Sequence, residues 1–103
     1  MSQRHQLSDV KVADSYRSRV VGLMGRRDLS SMLLWIPRCS SIHTCFMRGP
    51  IDVAFLNESR QVVSTHKAVK PWRMLVGSGS GVLEAPAGFL EMRGVAVGDI
   101  VEW

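Results

Sequence analysis

No stretch of this chain approaches the ~20 consecutive apolar residues that a membrane-spanning helix needs. The opening residues, Met-Ser-Gln-Arg-His-Gln, hold no apolar run that could serve as a signal segment, so the chain as given is expected to be cytoplasmic. Cysteine is scarce. Cys39 and Cys45 stand six positions apart, which along one extended strand is ~20 Å against a disulfide limit of ~7 Å between Cα atoms. Two free thiols in a reducing compartment are the expectation. A polybasic block is also missing: 13 Lys and Arg against 9 Asp and Glu leave a net charge of +4 that is spread along the chain. Scattered charge of this kind reads as a solubilising surface, and nucleic-acid binding is kept only as a minor alternative. There is no phosphate loop, because Gly77-Ser78-Gly79-Ser80-Gly81 lacks the following lysine and helix. No quartet of well-spaced ligands suggests a structural metal, and no cofactor is implied.

What is present is enough for one domain over residues 1–103, with an ordinary apolar share of 46%. A chain of this length can bury about two-thirds of its unfolded surface. Alternating polarity over residues 7–13 predicts an opening strand. Asp14 or Ser15 can cap a helix with Tyr16, Val20, Leu23 and Met24 on one face and Gly25 as its stop. The apolar run 32–36 predicts a strand buried on both faces, ended by Pro37. Further strands are expected over 61–66, 82–85 and 100–103, with a turn at 57–60, a flexible polar loop at 77–81 and a second helix from Pro86 to Gly94. These elements imply an α+β protein, a small, mostly antiparallel β-barrel or roll with about two short helices.

Residues 42–56 form the densest concentration of β-favouring residues. They predict strands over 42–47 and 52–56, folded into a hairpin through Gly49-Pro50. Ile42, Thr44, Phe46, Val53 and Phe55 would then share a core face, and His43, Cys45, Met47 and Asp52 the other. That second face is expected to be covered by residues 72–76 or the first helix, leaving a shallow, partly polar pocket beside His43.

The order and spacing of several short pieces resemble a known prokaryotic family, the domain of unknown function 192. They are Arg19-Val20-Val21-Gly22-Leu23-Met24-Gly25-Arg26, Ile42-His43-Thr44, Met47-Arg48 with Pro50-Ile51-Asp52-Val53, Pro71-Trp72-Arg73, Val82-Leu83-Glu84, Pro86-Ala87-Gly88 and Gly98-Asp99. The likeness covers about residues 12–101 and points to the branch with Ile-His-Thr followed by Met-Arg-x-Pro-Ile-Asp-Val. It implies a compact β-rich domain with two short helices and carries no reaction with it. Many members look exported, whereas this chain shows no signal segment. Arg60 stands where a turn glycine is typical, and Cys45 where an aromatic or small residue is usual.

The chemistry-bearing residues divide into three groups. His43, Cys45 and Met47, two apart on one strand, are weak candidates for a soft metal such as copper(I) or zinc, but neighbours on a flat strand converge poorly on one ion. His43 beside Cys45, with Arg48 to lower a thiol pKa, would suit a small thiol- or histidine-dependent enzyme. His43, Arg48, Asp52, Trp72 and Arg73 are the candidate ligand-binding set, with Trp72-Arg73 as a stacking platform. Asp52 is also expected to bond backbone N–H groups of the 48–50 turn, and Asp99 to do the same before the last strand. The balance favours a non-enzymatic ligand- or protein-binding accessory module, its partner an unidentified protein or small molecule. The thiol or histidine enzyme is the first alternative and a basic nucleic-acid-binding barrel the second.

Overall fold

Two runs of the chain have almost no polar residue to turn toward water, Ile-Asp-Val-Ala-Phe-Leu and Gly-Val-Leu-Glu-Ala-Pro. Strands of that composition are stable only when both faces are covered. In the structure, a computed structural model whose described residues are 2–12, 33–38, 41–43 and 49–103, they lie side by side in the middle of a sheet. The elements in chain order are β1 (Arg4–Gln6), β2 (Val10–Val12), β3 (Leu33–Pro37), β4 (Ser41–His43), β5 (Ile51–Leu56), β6 (Val62–Val69), β7 (Met74–Val76), β8 (Gly81–Pro86), the helix α1 (Phe89–Arg93) and β9 (Ile100–Glu102). The first predicted helix, with Tyr16, Val20, Leu23 and Met24, lies outside the described residues, as do Cys39, Thr44, Cys45, Phe46, Met47 and Arg48.

The main sheet has five strands in the order β2-β3-β8-β5-β6, and two smaller ribbons pair β4 with β7 and β1 with β9. Pairings are antiparallel except β1 with β9 and β2 with β3. The protein is therefore mostly β, with one short helix and no closed barrel among the described residues. The β4–β7 ribbon covers one face of the main sheet: Ile42, and beside it Leu75, pack on Ile36, Ile51, Val53, Phe55 and Val82. Against the opposite face, with Trp35, Ala54, Leu56 and Leu83, pack Leu7, Leu90, Val95 and Val101 from the helix and from the β1–β9 side. Every residue of β5 is buried as a result.

The hairpin expected between residues 42–47 and 52–56 does not form. Both hydrogen-bonding edges of β5 are already taken, by β6 on one side and β8 on the other, so β4 pairs instead with β7. Ile42, Val53 and Phe55 do share one core, but across two stacked layers rather than within one hairpin. The 77–81 loop is likewise no flexible spacer. A Cβ on Gly81 would sit 2.3 Å from the Trp35 ring, and one on Gly77 2.9 Å from the Phe55 ring. Small residues are needed there because the chain passes in contact with core aromatics. The second helix is shorter than expected. Pro86 closes β8, and the helix begins at Phe89 and stops at Gly94, whose φ of 68° gives the left-handed end that glycine accommodates.

Candidate functional site

Register alone brings separated motifs to one end of the main sheet. Ile51, the first residue of β5, pairs with Val69 at the end of β6 and with Pro86 at the end of β8. Residues 49–50, 70–73 and 87–88 therefore leave from the same end. In the β4–β7 ribbon His43 is opposite Met74, so β4 also finishes there, next to the segment that carries Trp72 and Arg73. Of the five candidate ligand-binding residues, four are thus placed at one end of the molecule, His43, Asp52, Trp72 and Arg73, and Arg48 lies outside the described residues.

Asp52 lies beneath this end with no exposed surface. Its Oδ1 accepts the backbone N–H of Ala68 at 2.8 Å, and its Oδ2 those of Gly88 at 3.1 Å and Leu90 at 3.0 Å. Bonding to backbone amides was the expected use of a short acidic side chain here. The described amides are not in the 48–50 turn, whose Arg48 lies outside the described residues; Asp52 points to the helix side of the sheet, away from the ribbon. One carboxylate thereby supplies the otherwise missing N-terminal cap of α1, where Gly88 has no side chain to offer. It also fixes a bulge in β6: the register slips between Ile51 and Val53, and Ala68 adopts φ 51°.

Four residues after that bulge the chain makes a second left-handed step, at Trp72, with φ 65°. A bulky residue in that region costs of order 1–2 kcal/mol, and this one is held with 61% of its surface exposed. Arg73 is exposed beside it. The chain thus presents an aromatic face and a guanidinium together at the rim of the ribbon.

Cys45 and Met47 lie outside the described residues, so the weak metal set with His43 has no described geometry. Among the described residues no group of three His, Cys, Asp or Glu is arranged to hold an ion, and no helix is long and apolar enough to cross a membrane.

A second polar cluster had little sign in the sequence. His5, on β1, places Nε2 2.8 Å from Asp99 Oδ2, with both side chains nearly buried. Asp99 also accepts the amides of Gln3 and Ala96, at 3.0 Å each. The Gln3 amide first, then the His5 ring and the Ala96 amide, hold its carboxyl down at about 2. The tie to Ala96 is the turn-stabilising role expected of Asp99. The tie to His5 spans 94 positions of sequence and had no local signal. The third feature is a cleft of about 260 Å³ lined by Ser8, Asp9, Leu33, Pro86, Phe89 and Arg93. The guanidinium of Arg93 there donates to the Gln6 carbonyl at 3.1 Å and lies 5.6 Å from the Phe89 ring centroid.

Comparison with known proteins agrees with this architecture. The family described as DUF192, uncharacterized ACR, matches residues 1–103. A UPF0127 protein of Pyrococcus furiosus is 37% identical over 101 residues, covering 92% of this chain and 86% of the relative. One from Thermococcus sibiricus is 36% identical over 101 residues, covering 91% of this chain and 65% of its own. Among solved structures, a protein of unknown function from Novosphingobium aromaticivorans matches with a TM-score of 0.75 at 23% identity, over 91% of this chain and 74% of that one. A candidate transcription regulator from Sinorhizobium meliloti matches with a TM-score of 0.76 at 22% identity, over 86% and 76%. At those identities the likeness is one of fold.

Proposed function

The chain belongs to the DUF192 family, and on that premise we propose that it is a non-enzymatic ligand- or protein-binding accessory module. We take as its contact surface the end of the sheet to which strand register carries His43, Trp72 and Arg73, with Asp52 as the positioning residue beneath them; Arg48, of the same candidate set, lies outside the described residues. The observation that carries this is Trp72, a large aromatic kept at once in left-handed backbone and largely in solvent. Each condition carries a folding cost: exposure gives up part of the burial of a large ring, and the left-handed backbone costs energy. Both suit a side chain that forms part of a contact surface. Asp52 supports the non-enzymatic side of the reading, because its two oxygens are engaged by three amides and it has no exposed surface to offer a substrate.

Titrating isotope-labelled protein with a library of small fragments and short peptides, read by backbone amide shifts, tests the surface. The expected shifts fall on residues 42–43, 49–52 and 70–74 as one set, and weaken in Trp72→Ala. Shifts confined to the Arg93 cleft or the His5–Asp99 corner would refute it. The enzyme alternative is tested by alkylating Cys45 at neutral pH. The proposal expects the rate of an unactivated thiol, and a much faster, selective reaction would favour a thiol enzyme instead.

A further inference from the structure

The charge that is scattered along the sequence is concentrated by the fold. Between Asp28 and Asp52 the chain holds Arg38 and Arg48 and no carboxylate, and between Glu58 and Glu84 it holds Arg60, Lys67, Lys70 and Arg73 and again none. These two acid-free stretches contain both strands of the β4–β7 ribbon. The ribbon's connections therefore carry cations at both ends. Lys70 and Arg73 are exposed before β7, and exposed Arg38 is tied by its amide to the Ser80 carbonyl beyond it, at 2.6 Å.

The β7 half of the ribbon's outer side is apolar. Leu75 turns inward to the core, while its neighbours Met74 and Val76 are 73% and 74% exposed and Trp72 just before them is 61% exposed. Among the described residues β7 is hydrogen-bonded to one strand only, β4.

We infer that β7 is a docking edge for an extended, acidic segment of a partner protein, one with alternating apolar and acidic residues that adds to the ribbon as a third strand. The inference rests on the binding-module reading and names the partner class of that surface. An added strand finds backbone partners along the edge of β7 that carries no strand among the described residues, and sets its alternate side chains beside Met74 and Val76. Its carboxylates meet Lys70 and Arg73 at one end and Arg38 at the other. Three side chains make a patch of a few hundred Å², well short of the ~800 Å² per partner of an ordinary globular interface, so a single segment fits better than a whole folded face. A single-stranded nucleic acid could answer the cations and Trp72, but it would leave Met74 and Val76 without apolar contacts.

The test uses an end-capped peptide of alternating valine and glutamate on the full chain. The counter-probes are the same peptide with lysine for glutamate, single-stranded oligothymidine, and phosphatidylglycerol vesicles. The glutamate peptide should bind saturably, shift and protect the amides of β7, and bind about tenfold more weakly to Val76→Glu, a change at an exposed site that leaves the core untouched. Equal binding of the lysine peptide overturns the inference, as does occupation of β7 by the oligonucleotide or vesicle while the peptide stays unbound. If β7 ignores the peptide but fragments still shift residues 42–43, 49–52 and 70–73, this inference falls and the binding-module reading stands. If no probe shifts that end, both fall.

Discussion

Asp52 carries more backbone than any other single side chain described here. Three amides from two segments converge on one carboxylate, two of them at the start of α1 and one in the β6 bulge. Replacing it with Asn turns one acceptor oxygen into a donor that faces a backbone N–H. Loss of a charge-assisted bond and a buried unpaired donor together predict a cost of about 2–4 kcal/mol in urea denaturation of Asp52→Asn. Asp99 makes a different prediction, one of pH. Its folded carboxyl titrates at about 2 against an ordinary 3.8, so its stabilising contribution is complete above the unfolded value and is lost as pH falls from about 4 through about 2. Acid titration of stability should show that limb in the native chain and a flatter one in Asp99→Asn. An unchanged limb would remove Asp99 from the account. Much of this was legible at the level of habit: short acidic side chains next to turns bond amides. The partners were not, because Ala68 and Leu90 stand 16 and 38 positions from Asp52, and no local pattern encodes that reach. Arg60 was legible as an oddity where glycine is usual. It adopts φ 60°, and its guanidinium stacks 3.7 Å from the centroid of Trp103, a contact that helps to offset the backbone cost.

Among the elements, strands were easier to foresee than their neighbours. Strands were expected over 32–36, 52–56 and 82–85, the first alone as buried on both faces; all three exist, but the fullest burial falls on β5 and β8, while β3 is half-buried at Leu33, Leu34 and Pro37. Pairing failed at β4 and β5, because Gly49-Pro50 has the composition of a hairpin turn while the competing partners of β5 lie far along the chain. The 77–81 loop misled in a similar way. Alternating Gly and Ser is the signature of a flexible linker, yet here the glycines mark close approach to Phe55 and Trp35. Gly81→Ala should therefore cost ~1–3 kcal/mol through overpacking against Trp35, since the Ile36 carbonyl at 2.8 Å blocks relief on the other side. Ser78→Ala, at an exposed position of the same loop, should stay within about 0.5 kcal/mol. Equal, small effects of both in thermal denaturation would return the segment to the flexible polar loop that its composition suggests.

For the whole molecule, the run of short strands foretold a mostly β protein but not its layering. Ribbon, five-stranded sheet and a helix-bearing layer stack so that one end collects the connections, and a buried carboxylate joins the bulge under Trp72 to the start of the helix. That is the central claim: the surface bearing His43, Trp72 and Arg73 is set in place by Asp52 from the opposite side of the sheet. Comparing backbone amide positions of native protein and Asp52→Asn by NMR, at a temperature where the variant stays folded, tests it most directly. The account predicts that the amides of Ala68, Gly88 and Leu90 shift and that those of residues 70–74, on the far side of the sheet, shift with them. Changes confined to Gly88 and Leu90, with residues 70–74 unmoved, would contradict it.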